Sequence, residues 1–186
     1  MLTRDDLLTM SRPELLAVLR NGHPIDPRDL DDTEYAGISL GLPEVVERLT
    51  WKKFKKTFHR DPRSGALRGW NVRIQQDGLD RPWVPMYRGG EPKTFGHYQV
   101  VDPTGVPMPA DCHGGLLIDY GRGGNRRFDA IGLTRDPVVA VNPGSAELLL
   151  GWSYIELGFT RFGTPSFFSL ERDGELTHHV APPIAS

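Results

Sequence analysis

The sequence predicts a mainly β protein with N-terminal helices, an α+β chain whose antiparallel meander closes into a β-barrel. Three observations predict it. From residue 66 onward polar and apolar residues alternate with a period of two, as in strands with one buried and one wetter face. Strong turn sequences recur between the alternating runs. No helical pattern separates those runs, as a βαβ fold would require.

The elements follow in chain order. Ser11-Arg12-Pro13-Glu14 has the form of a capping box, with Leu15, Leu16 and Leu19 on one face behind it and Asn21-Gly22 as the stop, so a helix is expected over 12–20. Residues 23–42 carry Pro24, Pro27, Gly37 and Gly41 and read as loop, with a short helical turn near 29–35. Pro43, Glu44 and Glu47 suit a helix N-terminus, and a second helix is expected from 43 to about 58. Its apolar residues fit poorly, because Val45, Val46 and Leu49 fall on the side opposite Trp51, Phe54 and Phe58.

Trp70, Val72 and Ile74 then alternate with Asn71, Arg73 and Gln75, and further strands are expected at 94–101, 116–120, 138–141, 148–159 and 165–172. Asp77-Gly78, Asp102-Pro103-Thr104-Gly105, the glycine-rich run at 121–125, Asn142-Pro143-Gly144 and Asp173-Gly174 supply the turns. The expected organisation is one domain over 1–186: a helical segment at 1–60 packed on a barrel at 66–172, then a loosely held tail at 173–186.

Composition narrows the function. With 22 Lys and Arg against 24 Asp and Glu, no global field draws the chain to nucleic acid or to an anionic membrane. No apolar run approaches the roughly 20 residues of a transmembrane helix, and the acidic start does not resemble a secretory signal. A single cysteine, Cys112, suits a reducing compartment, so a soluble cytoplasmic protein is expected.

Short motifs carry little chemistry here. Gly37-Ile38-Ser39-Leu40-Gly41 satisfies Gly-x-Ser-x-Gly, but a nucleophile elbow needs a buried strand before the serine, and Asp31-Asp32-Thr33-Glu34-Tyr35 makes a poor one. The run 121–127 with its three arginines matches no phosphate-loop pattern and reads as a hairpin loop. The six histidines show no zinc-ligand spacing, so neither a metal nor another cofactor is expected.

Polar residues inside the strand pattern say more. Arg73, His97, Asp119 and Glu156 each interrupt an apolar run, and a charge inside a barrel is costly unless it is paired or serves a ligand. They face solvent or line a cavity. Trp70, Tyr98, Tyr120, Trp152 and Tyr154 could wall an apolar pocket with polar tips, and would equally serve ordinary core packing.

Helices followed by a long aromatic-rich antiparallel meander resemble the lipocalin-like, calycin-type β-barrels, over about 66–172, with Gly69-Trp70 the nearest element to their first-strand Gly-x-Trp. The resemblance implies an interior that holds a small apolar ligand. Three functions are carried forward. The first is a binding protein for a small hydrophobic or amphipathic molecule, with Arg73, Trp70, Tyr98, Tyr120, Trp152, Tyr154 and Glu156 as ligand-binding candidates. The second is a cofactor-independent isomerase or cyclase using the same cavity, with His97 and Asp119 as acid and base. The third is an interaction module that meets a membrane surface or acidic partner through the basic helix 43–60. A homodimer is compatible with each.

Overall fold

A computed structural model describes residues 1–41, 52–109, 112 and 114–184. Two helices open the chain, α1 (Arg4–Thr9) and α2 (Arg12–Arg20), and a 3-10 turn follows at Pro27–Leu30. Both helices start with reciprocal caps, Thr3 with Asp6 and Ser11 with Glu14, so the expected 12–20 helix forms with the capping box read from its sequence.

Eight strands then close a barrel: β1 (Thr33–Leu40), β2 (Lys53–Arg60), β3 (Leu67–Arg73), β6 (Thr94–Val101), β7 (Leu116–Asp119), β8 (Thr134–Ala140), β9 (Leu148–Leu157) and β10 (Thr160–Glu175). A two-stranded ribbon, β4 (Tyr87–Arg88) with β5 (Glu91–Pro92), is inserted between β3 and β6. Each barrel strand pairs antiparallel with the next along the chain, and β1 pairs with β10 to complete the ring. The expected mainly β, closed antiparallel meander is therefore what forms. Among the described residues no helix is long and apolar enough to cross a membrane.

Two expectations for the first sixty residues are corrected. Residues 33–40 are strand β1, not loop, and residues 53–60 are strand β2, not the second half of a helix. In β2 the side chains of Phe54, Lys56 and Phe58 face inward while Lys53, Lys55 and His59 face outward, a period of two that explains the poor helical wheel. The N-terminal half of the expected helix, 42–51, lies outside the described residues. The basic face proposed for membrane or acidic partners does not form over 53–60. Lys53 is buried and donates to Asp77 and to the carbonyls of Gly78, Arg81 and Pro82, Lys55 is paired with Glu34 and Asp173, and Lys56 is inside the barrel.

Alternation sorts the apolar residues into three groups. Tyr35, Phe58, Leu67, Leu116, Ile118, Val138, Leu149 and Leu170 face inward and pack with Ile25 and Leu30 at one end of the barrel, and Tyr98 and Phe168 face inward beside them. On one outer face Leu7, Leu15 and Leu19 of the two helices cover Leu117, Val139, Leu150 and Trp152. On the other, Trp70, Val72 and Ile74 are covered by Trp83, Leu176 and Val180. The C-terminal segment makes contacts along this face: Leu176 N–H donates to Asp32 O, Arg68 to Val180 O, and Ile184 N–H to Gly124 O.

Candidate functional site

The other end of the barrel is not filled. Three inward rings make room for one another by lying on glycines directly opposite them: Phe54 on Gly37, Tyr98 on Gly69 and Phe168 on Gly151. A bulge in β6, with Gly96 at φ +53°, lets Asn71 pair with Phe95 while Gly69 pairs with Tyr98, so both β6 rings turn inward. What remains is a cavity of about 300 Å³ lined by Phe54, Phe95, Phe168, Asn71, Tyr120, Lys56 and Asp136, with Ser39, Ser153 and Ser166 between them.

Its polar floor is a connected set. The Lys56 ammonium donates to Tyr120 Oη at 2.7 Å and lies 3.6 Å from Asp136 Oδ2. Tyr120 O–H in turn donates to Asp136 Oδ2 at 3.0 Å, and Asn71 Nδ2 approaches the same hydroxyl at 3.4 Å. Rings surround the ammonium: Tyr98 at 4.7 Å, Tyr120 and Phe168 at 5.1 Å and Phe54 at 6.0 Å, so their quadrupoles share the work of stabilising a buried cation. Tyr98 is fixed in this cage by donating to Thr57 O at 2.6 Å.

Burial lowers the Lys56 ammonium to about 8 against the opposing pull of Asp136. Burial likewise raises the Asp136 carboxyl, with Lys56 opposing, and pushes both tyrosine hydroxyls well above their usual range. One atom is left over. Asp136 Oδ1 is buried and accepts no well-formed hydrogen bond from the described residues, the Ser153 hydroxyl being the neighbour that favours the carboxylate, and an acceptor in that state calls for a donor.

No family model, curated protein or solved structure matches this chain. Function is therefore read from the chemistry of the cavity.

The residues singled out from sequence divide sharply. Tyr98 and Tyr120 are inside, at the cage. Arg73 stands at the rim, its guanidinium 5.3 Å from the Phe95 ring. Trp70 is on the outer face under the C-terminal segment, and Trp152 and Tyr154 are on the outer face with the helices. Asp119 and Glu156 belong to a ladder of ion pairs across the outer surface, Asp119 with Arg122 and Arg135, Glu156 with Arg135 and Arg161. His97 is also outside the cavity, 6.1 Å from the Trp70 ring, its backbone clamped by the Asn125 side chain. His97 and Asp119 do not meet in the cavity. The charged groups that do meet there are Lys56 and Asp136.

His97 has a different consequence. It is 3% exposed and its Nδ1 finds no partner among the described residues, and burial, with Arg68 adding to it, lowers its pKa from 6.5 to about 4. The unfolded chain therefore takes up a proton near pH 6.5 that the folded chain refuses until about pH 4. Stability should fall across that window by about 2 to 3 kcal/mol and level off below it. Urea unfolding from pH 7 to pH 4 checks this, and His97→Gln should flatten that part of the profile.

Proposed function

We propose that the barrel is a binding protein for a small neutral amphipathic molecule, held with its apolar body between Phe54, Phe95 and Phe168 and its polar end on Lys56 and Asp136. The observation that carries this is the orphaned Oδ1 of Asp136 in a cavity wall beside a lysine ammonium. A group that donates to the carboxylate and accepts from the ammonium, such as a hydroxyl or an amide, completes both. An anionic head would meet Asp136 and a cationic one Lys56, each at close range in a poorly screened site, so the balanced pair selects against either. About 300 Å³ is at the small end of ligand pockets, and the apolar wall with a few convergent polar groups is their usual make-up. The same arrangement supports the lipocalin-like reading of the meander.

Ligand-observed NMR with small phenols, aryl amides and the matching benzoates tests it. Phenols or amides should bind and benzoates should not, and Ser153→Leu, which fills the cavity, should remove the binding. Preference for the benzoates, or equal binding to the filled variant, overturns the reading.

A further inference from the structure

A second cluster lies on the outside of the barrel and shares no residue with the cavity. Asp32, in the turn entering β1, holds a left-handed backbone conformation (φ 52°) and is the only non-glycine described residue to do so. His59 of β2 lies beside it because Thr33 and Phe58 are register partners, and its Nδ1 is 2.5 Å from Asp32 Oδ1. His179 arrives from the C-terminal segment, its Nε2 3.8 Å from the same oxygen and its ring 4.4 Å from that of His59. These three donor atoms all lie within 4.8 Å of one another.

We propose that Asp32, His59 and His179 form a site for a divalent transition-metal ion of the zinc type, which clasps the C-terminal segment to the β1–β2 corner. Two imidazoles and one carboxylate are a donor set such ions take, with a solvent molecule as the fourth ligand. Tetrahedral ligands about 2.0–2.1 Å from the ion stand roughly 3.3 Å apart. The Asp32–His59 pair at 2.5 Å is closer than that spacing and the Asp32–His179 pair at 3.8 Å farther, with the two imidazole donors within 4.8 Å of each other. Asp32 and His179 are each more than half exposed, so their side chains are free to make the adjustment and water reaches the open position, while His59 is 11% exposed and fixes the site to the sheet.

The approach of His179 is not incidental, because the segment is pinned on both sides of it. Leu176 N–H donates to Asp32 O and Thr177 to Glu34 Oε1 before it, and Arg68 donates to Val180 O after it. His178, next in sequence, points to Glu91 instead, with Nε2 at 3.0 Å from its carboxylate.

Calorimetric titration of zinc chloride into the chelator-stripped full chain tests the site, with cobalt(II) absorption as a second readout of tetrahedral nitrogen and oxygen ligation. One ion per chain is expected, with affinity reduced at least tenfold in His59→Ala and in His179→Ala and unchanged in His178→Ala. Zinc should also raise the thermal midpoint of the parent protein and not that of the double variant. The exposed His179 is dispensable for packing, so a folded variant is available whatever His59→Ala does. Absence of binding to the parent, or the same binding in the His59→Ala/His179→Ala variant, overturns the proposal.

Discussion

Lys56→Met should cost the protein about 3 to 5 kcal/mol, seen as a lower denaturant midpoint at pH 7, and Lys56→Met/Asp136→Asn should recover most of that loss. The reason is the state of Asp136. With Lys56 present, its carboxylate is 2% exposed and faces an ammonium 3.6 Å away. Removing the amine leaves a buried charge supported by the neutral hydroxyls of Tyr120, 3.0 Å from Oδ2, and Ser153, and a buried charge without a counter-charge is far costlier than a lost contact. Asparagine keeps an oxygen for Tyr120 while discarding the charge, and methionine fills the lysine's space among the rings.

Acid distinguishes this account from simple loss of packing. The Asp136 carboxyl is already raised by burial, with Lys56 pulling the other way. Without Lys56 the folded value rises further above the unfolded one, so the penalty is full at neutral pH and is relieved as pH falls through the folded pKa and Asp136 protonates. A deficit in Lys56→Met that stays constant from pH 7 to pH 4 would rule out the charge as its cause. The ligand site should fail in the same variant, because the donor to a bound hydroxyl or amide is gone.

The barrel was legible from residue 66 onward because inward and outward faces alternate there and turn residues separate the runs. The β6 expectation has the strand's own boundaries and that for β9 overruns by two residues, whereas 165–172 covers the middle half of β10. The two missed strands each had a local feature that argued for something else. In β1, Gly37 looked like a breaker, but it is in the strand because Phe54 lies on it from β2, a contact no local pattern reveals. In β2, lysines that favour helices and a proline–glutamate start upstream outweighed the Phe54, Lys56, Phe58 alternation. The site was lost with these strands. The reasoning that picked out charges inside apolar runs would have picked Lys56 had residues 53–60 been read as a strand. Asp136 was missed because Pro137 made the β8 run seem to start at Val138, whereas Pro137 sits inside the strand opposite Leu117. The Asp32, His59 and His179 cluster has no spacing signature, since three separate segments supply it.

Gly69→Ala should be among the most damaging single methyl additions, costing about 3 kcal/mol or more, at or beyond the upper end of ordinary overpacking. A Cβ there would stand 1.9 Å from the Thr57 carbonyl oxygen and 2.6 Å from the Tyr98 ring. The first neighbour is backbone of the adjacent strand, so it yields only if β2 and β3 part, and they are joined at this point through the Phe58 and Gly69 pair. The second is the ring whose hydroxyl holds that same carbonyl, so moving it breaks the 2.6 Å bond to Thr57 and opens the cage around Lys56. Gly65→Ala is the control, because its Cβ would meet nothing within 4 Å and only the left-handed backbone (φ +71°) is penalised, at about 1 to 2 kcal/mol. Chemical denaturation of the two variants should place Gly69→Ala clearly below Gly65→Ala, and phenol or amide binding should weaken in the first alone. Equal losses in stability would mean that the close seating of Tyr98 on β3 is not what shapes this end of the barrel.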